Sequence, residues 1–252
     1  MRVVIIGSGN VASVMGRLIN SNGHQVIQVI SRHVDHAKML ADELHCPYSG
    51  SNDEVDKTAD VYIVAVSDGA LYELNKSFHI GNKLILHTAG SVPRDVLKDI
   101  SVNYGVIYPL QSLRKEMDYT GDIPLLIDGN SEETITLVED FARTISDKVV
   151  KASDEERLKL HVAAVIVSNF TNHLYTLAEE FCEKENVDFK LLAPLIKETA
   201  VRVQDHSPAS VQTGPAIRND IFTLDKHLRL LANYPRLKYV YLKLTDSIMK
   251  GQ

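Results

Sequence analysis

Cysteine is scarce in this chain: there are two in 252 residues, Cys46 and Cys182, far apart and with no CxxC or nearby histidine spacing. Such usage argues against a disulfide framework and against a metal site. It fits a reducing compartment, so both thiols read as ordinary buried side chains and a cytoplasmic location is expected. Positive charge is not in excess either. Lys and Arg number 27 against 33 Asp and Glu, a net charge of −6 that advertises no surface for a polyanion and sets nucleic acid aside as a partner. No apolar run approaches the roughly 20 residues of a membrane span, so no membrane partner is expected. The sequence opens directly on a core-like strand, which leaves no room for a signal peptide. The length allows one large domain or two modest ones, each with its own core.

What is present begins at once. Arg2 to Ile6 is a hydrophobic strand that runs into Gly7-Ser8-Gly9-Asn10-Val11-Ala12 and then a helix-like stretch reaching Asn22-Gly23. This order suits a dinucleotide pyrophosphate. Gly7 permits the tight turn, Gly9 lets the backbone approach the phosphates without a Cβ, and the small Ala12 lets helix and strand pack closely. The helix N-terminus, at Asn10 and Val11, points free N–H groups at the anion. The next strand, Gln25 to Ile30, bears on which dinucleotide. A site for NAD usually ends this strand with Asp or Glu, which accepts from the ribose 2′-hydroxyl. Here Ser31-Arg32-His33 follows, and a guanidinium beside a hydroxyl suits the 2′-phosphate that a carboxylate would repel. NADP is therefore the expected cofactor, the other reading of Arg32 being a solvated residue that opens the next helix.

Strands and helices alternate as far as about residue 150. Val34 to Leu44 reads as a helix, Val61 to Val66 and Lys83 to His87 as buried strands, Asn103 to Tyr108 and Pro124 to Asp128 as further strands, Glu132 to Ser146 as a helix and Val149-Val150 as a short strand. The fold class this predicts is α/β: a Rossmann-like, mostly parallel sheet with helices on both faces, and ligands outside the carboxyl ends of the strands. Three loops lie there. Val66-Ser67-Asp68 and Thr88-Ala89-Gly90 are assigned to the cofactor, and Gln111, in Pro109-Leu110-Gln111-Ser112, to the substrate. Ser, Thr, Asp and Gly also populate ordinary helix entrances, so each loop alone has that second reading. His87, at the end of an apolar strand, is either a satisfied core residue or a substrate-facing donor.

From Ser153 onward only helical stretches remain, which predicts a domain boundary at 152/153, with residues 1–152 dinucleotide-binding and 153–252 a helical substrate and dimerisation domain. Ser153-Asp154-Glu155-Glu156 is a good helix start, and the helix that follows is expected to reach about Glu185. Its middle, Val162 to Phe170, is apolar nearly all round and is expected to form the buried centre of the second domain, with one side available to a partner subunit in a homodimer. At about 100° per residue, Ser168, Asn172 and Tyr175 fall near the azimuth of His161, with Asn169 at the edge of the stripe. Polar groups inside a packed helix need partners. His161 and Asn169 are the expected catalytic pair, with Ser168 and Asn172 beside a small-molecule substrate; a hydrogen-bonded network between helices is the other reading. Arg218, after the rigid Gly214-Pro215 turn, is a candidate carboxylate fork held by Asp220, unless Asp220 merely caps the next helix.

Taken together, Gly7-Ser8-Gly9-Asn10-Val11-Ala12, His87-Thr88-Ala89-Gly90-Ser91, Tyr108-Pro109-Leu110-Gln111-Ser112, Leu160-His161-Val162-Ala163-Ala164-Val165, Ser168-Asn169-Phe170-Thr171-Asn172-His173 and Thr213-Gly214-Pro215-Ala216-Ile217-Arg218 span nearly the whole chain. In this combination the chain resembles a bacterial family of NADP oxidoreductases with a Rossmann-like N-terminal domain and a helical C-terminal domain of unknown function, similar to pyrroline-5-carboxylate reductases and deazaflavin-dependent NADP reductases. The resemblance implies NADP binding and a helical domain used for dimerisation. It also exposes a departure. The wider β-hydroxyacid dehydrogenase superfamily carries a catalytic Lys four residues before an Asn on the first interdomain helix; if Asn169 is that Asn, Val165 holds the Lys position. Hydroxy-acid oxidation by that route then lacks its amine. The resulting expectation is reduction of a small C=N or C=O compound by hydride from NADPH, with His161 as proton donor, Asn169 positioning the substrate and Arg218 binding a carboxylate. The alternative is a non-catalytic, NADP-binding redox sensor or dimeric interaction protein.

Overall fold

In the computed structural model, which describes residues 1–50, 54–74, 79–117 and 123–251, the N-terminal part alternates β1 (Arg2–Ile6), α1 (Asn10–Ser21), β2 (Gln25–Ser31), α2 (Val34–Leu44), β3 (Tyr48–Gly50), β4 (Val61–Val64), α3 (Asp68–Leu74), β5 (Gly81–His87), β6 (Ser101–Pro109), β7 (Leu125–Gly129), α4 (Glu132–Arg143) and β8 (Val149–Lys151). The strands form one sheet in the order β3-β2-β1-β4-β5-β6-β7-β8. The pairings from β3 through β6 are parallel, β7 runs antiparallel to β6, and β8 is parallel to β7. Strand order reverses at β1, whose neighbours are β2 and β4, so the crevice beyond the carboxyl ends of these three strands is the ligand position of such a sheet.

Because side chains alternate across a strand, β1 feeds two cores. Val3 and Ile5 pack with Ala12, Met15 and Ile19 of α1, Ala41 and Leu44 of α2 and Phe141 of α4. Val4 and Ile6 pack on the opposite face with Tyr62, Val64, Leu71 and Ile85. The parallel strands are hydrophobic almost without interruption because both of their faces are covered. Strand β3 leaves no mark in the sequence pattern. It is three residues long, on the sheet edge, and its Ser and Gly give no alternation to detect.

Two compact units divide at Asn169/Phe170. The first includes α5 (Asp154–Ala164), which begins where the strand pattern stops. Ser153 caps it through a reciprocal box with Glu156, the Ser153 Oγ accepting from the Glu156 N–H and the Glu156 carboxylate accepting from the Ser153 N–H. The division itself lies in a π-helical segment, Val165–Phe170, that links α5 to α6 (Thr171–Lys184). The second unit continues with α7 (Ala193–Asp205), α8 (Ile221–Leu230) and α9 (Pro235–Lys250), and no strand occurs among its described residues.

Two expectations fail here. The stretch Val162 to Phe170 is not a buried centre: Val162, Ile166, Val167 and Phe170 are exposed, Val167 by 72%. Apolar composition reports that a surface avoids water, not which chain covers it. The polar stripe also loses its basis, because stepping by about 100° per residue does not carry through a π turn, which holds an extra residue.

Candidate active site

The turn after β1 is shaped by its glycines. Gly7 has φ +125°, and a Cβ built on it would lie 2.1 Å from the carbonyl oxygen of Ala65 at the end of β4. Its N–H donates to the Ile30 carbonyl at 2.7 Å, tying the turn to the neighbouring strand β2. Gly9 is the N-cap of α1. A Cβ there would meet nothing within 4 Å, and no side chain caps the helix. The first-turn N–H groups of α1 therefore face open space, with no acidic residue in that turn to oppose an anion. Ala12 is fully buried against the sheet, and the close approach of α1 also relies on Gly16, whose Cβ would sit 2.7 Å from a methyl of Leu44.

In front of this turn lies a cleft of about 500 Å³ lined by Gly7, Ser8, Gly9, Ser31, Arg32, His33, His36, Val66, Ser67 and Glu73, among others. The Ser8 hydroxyl donates to Ser31 Oγ at 2.8 Å, and Ser31 Oγ also accepts from the His33 N–H at 3.3 Å, which leaves the Ser31 hydrogen free to point elsewhere. Arg32 is exposed and forms no hydrogen bond or ion pair with any described residue. An anion-accepting helix start, a backbone without Cβ and an unengaged guanidinium fit a phosphorylated dinucleotide. His33 and His36, with ring centroids 5.5 Å apart, line the same cleft and were not singled out in the sequence. Two basic rings after Arg32 were the available signal.

The other cofactor candidates lie apart from the lining. Asn10, Val11 and Ala12 are helix residues whose role there is through backbone N–H groups. Asp68 opens α3 and accepts a hydrogen bond from the Ser91 hydroxyl. Thr88 and Ala89 are buried, the Thr88 N–H donating to the Val64 carbonyl at 3.1 Å.

Gly90 has a different partner. A Cβ on it would lie 2.6 Å from His161 Nδ1 and 3.0 Å from Tyr108 Cζ. His161 Nδ1 and the Tyr108 hydroxyl are themselves hydrogen-bonded at 2.9 Å, their rings edge-on at 76°. The bare Gly90 backbone is what lets this pair close over the end of β5 and β6. Burial pushes the Tyr108 phenol above its ordinary range, with the nearby Arg157 guanidinium pulling the other way.

Arg157 explains how α5 carries His161 to this place. It is 1% exposed, donates to the Val92 carbonyl, and pairs with Asp154 at 2.7 Å. The Asp154 carboxylate also accepts from the Arg94 N–H. These bonds clamp the first turns of α5 onto the loop that follows Gly90, and His161, four residues on, shares the same helix face. The Arg157 Nε and Nη1 groups are buried with no hydrogen-bond partner among the described residues.

His87 takes the interior one of its two readings. It is 0% exposed, and its Nδ1 accepts from the Ala89 N–H at 3.2 Å. Its Nε2 completes no hydrogen bond of normal geometry with any described residue. Burial first, then the Arg157 charge, hold its pKa down to about 4. A neutral, enclosed imidazole of this kind does not face substrate. Gln111 is exposed and turned onto its own loop, its Oε1 accepting from the Ser112 N–H. Ser168 is partly exposed, and Asn169 is exposed at the end of the first unit. Asn172 and Arg218 are exposed residues of the second unit. Asp220 does not hold Arg218 as a fork: it caps α8, accepting from the Thr223 N–H at 3.1 Å and from the Thr223 hydroxyl at 2.7 Å.

A doubly flanked parallel sheet whose first turn is a Cβ-free phosphate cradle defines a Rossmann-type dinucleotide-binding protein. Residues 2–89 match the family of NADP oxidoreductase, coenzyme F420-dependent, and residues 123–248 match a domain of unknown function, DUF2520. The chain is similar to a putative NADP oxidoreductase from Bacteroides fragilis, at 38% identity over 99% of this chain and 98% of that one, with a TM-score of 0.93. It therefore belongs to the family of that NADP oxidoreductase. The fold is also that of 1-pyrroline-5-carboxylate reductase from Streptococcus pyogenes, at 16% identity over 99% and 98% of the two chains with a TM-score of 0.64. A reductive aminase from Aspergillus terreus, solved with NADPH and ethyl-5-oxohexanoate, shares it at 16% identity over 99% and 94% of the chains with a TM-score of 0.71. No curated protein matches the chain. Among the described residues, no helix is long and apolar enough to cross a membrane.

Proposed function

We propose that the protein is an NADPH-dependent reductase of a small compound with a C=N or C=O group. The observation that carries this reading is the cleft in front of Gly7 and Gly9 with Ser31 and Arg32 on its wall. The first-turn N–H groups of α1 hold the pyrophosphate, while the Arg32 guanidinium and the free Ser31 hydrogen hold the 2′-phosphate. When bound, the coenzyme supplies a hydride, and the protein contributes orientation and electrostatics. His161 supplies the proton, and Asn169 with Ser168 positions the substrate. Membership in a family of NADP oxidoreductases supports the cofactor assignment.

Titration calorimetry with NADPH and NADH tests it. Tighter binding of NADPH is expected, and heat from neither coenzyme, on folded protein, would overturn the assignment. A second reading, a coenzyme-binding redox sensor without chemistry, is favoured by Val165 in place of a Lys. It requires that bound NADPH never be oxidised by any reducible substrate. The second unit leaves Leu191, Leu195 and Phe222 exposed, which supports a homodimer built on its helices. Sedimentation giving the mass of one chain at micromolar concentration would exclude that dimer.

A further inference from the structure

We infer that the substrate of this reductase is a carbonyl compound and not an iminium cation, and that Tyr108 protonates its oxygen with His161 restoring the phenolic proton. The inference rests on the reductase reading above and chooses between the two substrate classes it leaves.

The pair stands at the reactive edge of the sheet. Tyr108 is the penultimate residue of β6, Gly90 follows β5, and both lie on the carboxyl-end edge that also carries Gly7 after β1. Three strand spacings of about 4.8 Å separate β1 from β6, roughly 14 Å along that edge, the scale of an extended dinucleotide. Both rings of the pair are only partly buried, so both are within reach of a ligand.

The charges around the pair distinguish the two classes. A carbonyl oxygen develops negative charge as hydride arrives at carbon, and it must then take a proton. A preformed iminium cation needs no proton, and a carboxylate near its nitrogen would stabilise it. Arg157 is buried beside this site; its ion pair with Asp154 is made through Nη2, and its Nε and Nη1 have no hydrogen-bond partner among the described residues. The Arg157 guanidinium acts on the Tyr108 phenol against the effect of its burial. The carboxylate on the neighbouring loop, Asp68, is engaged by the Ser91 hydroxyl. A local field of this sign favours an oxyanion and disfavours a bound cation.

The step balances. The carbonyl carbon gains a C–H bond from the hydride, and its π pair passes to oxygen. The Tyr108 O–H bond breaks as its proton joins that oxygen, and the Nδ1–H bond of His161 breaks to restore the phenol while Nε2 takes a proton from water. The carbonyl is reduced to an alcohol, NADPH is oxidised to NADP, and the proton consumed is replaced on His161 from water.

Two measurements test this. In the ligand-free protein, histidine side-chain NMR titration of wild type and Tyr108→Phe reads the pair directly. A changed His161 titration in the variant is expected, and an unchanged one overturns the relay. With NADPH bound, oxidation of the coenzyme is followed with α-keto acids, aldehydes and cyclic ketones, and separately with a cyclic iminium such as protonated 1-pyrroline. Carbonyl reduction is expected, with Tyr108→Phe and His161→Gln lowering kcat by roughly 100- to 1000-fold while KM and NADPH affinity hold. Reduction of the iminium alone, no carbonyl reduction by protein that binds NADPH, or a kcat indifferent to Tyr108→Phe overturns the proposal. Failure of the wild type to bind NADPH removes the reductase reading itself and this inference with it.

Discussion

Gly90 presses its backbone against the imidazole of His161 so closely that a methyl group there would stand 2.6 Å from Nδ1. The contact makes the loop after β5 a wall of the Tyr108–His161 pair. Gly90→Ala must therefore displace one ring or move the loop. Overpacking of this kind costs about 1–3 kcal/mol. A lower denaturation midpoint together with reduced turnover is expected, and a variant as stable and active as wild type would show that the loop yields freely.

Gly7 and Gly9 make opposite demands although they lie two positions apart. An alanine at Gly7 meets the Ala65 carbonyl at 2.1 Å and must hold φ at +125°, so Gly7→Ala is expected to destabilise the fold by several kcal/mol. An alanine at Gly9 meets nothing within 4 Å. Gly9→Ala is expected to melt like wild type yet bind NADPH at least tenfold more weakly, because its methyl occupies the space through which phosphate approaches. Thermal melts paired with calorimetric titration separate the two effects; equal losses of stability would contradict the distinction.

Arg32 has no protein partner to lose among the described residues, so Arg32→Ala should leave stability within about 0.5 kcal/mol. A charged hydrogen bond contributes about 1.5–3 kcal/mol, so NADPH affinity should fall roughly 10- to 100-fold while NADH affinity is nearly unchanged. Retention of the NADPH preference would move the 2′-phosphate elsewhere in the cleft, His33 and His36 being the other basic groups on its wall.

His87 makes stability depend on pH in a defined direction. Its folded pKa is about 4 against an ordinary 6.5, so between those values the unfolded chain binds a proton that the folded protein refuses. Stability from this group is complete above about pH 6.5 and is lost as pH falls towards 4, a drop of about 3 kcal/mol for a fully enclosed imidazole. Urea denaturation at pH 7.5 and pH 5 should show a smaller loss in His87→Gln than in wild type. Parallel losses in the two proteins would mean that His87 is solvated or paired in the fold.

The α/β architecture was readable because its signals are local. Val34–Leu44 is helical over the range its periodicity predicts, β1 and β2 fall where their apolar runs lie, and the glycine turn stands between a strand and a helix. The weak points follow from the same locality. The edge strand β3 has no alternation, the π segment interrupts a period that sequence assumes continuous, and Val162 to Phe170 is apolar without being covered by its own chain. Asp220 illustrates a correct alternative: an acid immediately before a helical run is a cap unless a partner is brought to it.

The amino-acid pattern alone determined the parallel sheet, the phosphate turn and the choice of Ser31-Arg32 over a carboxylate, since each depends on neighbours within a few residues. Tertiary structure decided the rest. Tyr108 and His161 are 53 positions apart, and they meet because strand order places β6 beside β5 and because buried Arg157 docks α5 onto the loop after Gly90. Docking of that kind is set by how two distant surfaces fill space together, and no periodicity or turn rule records it.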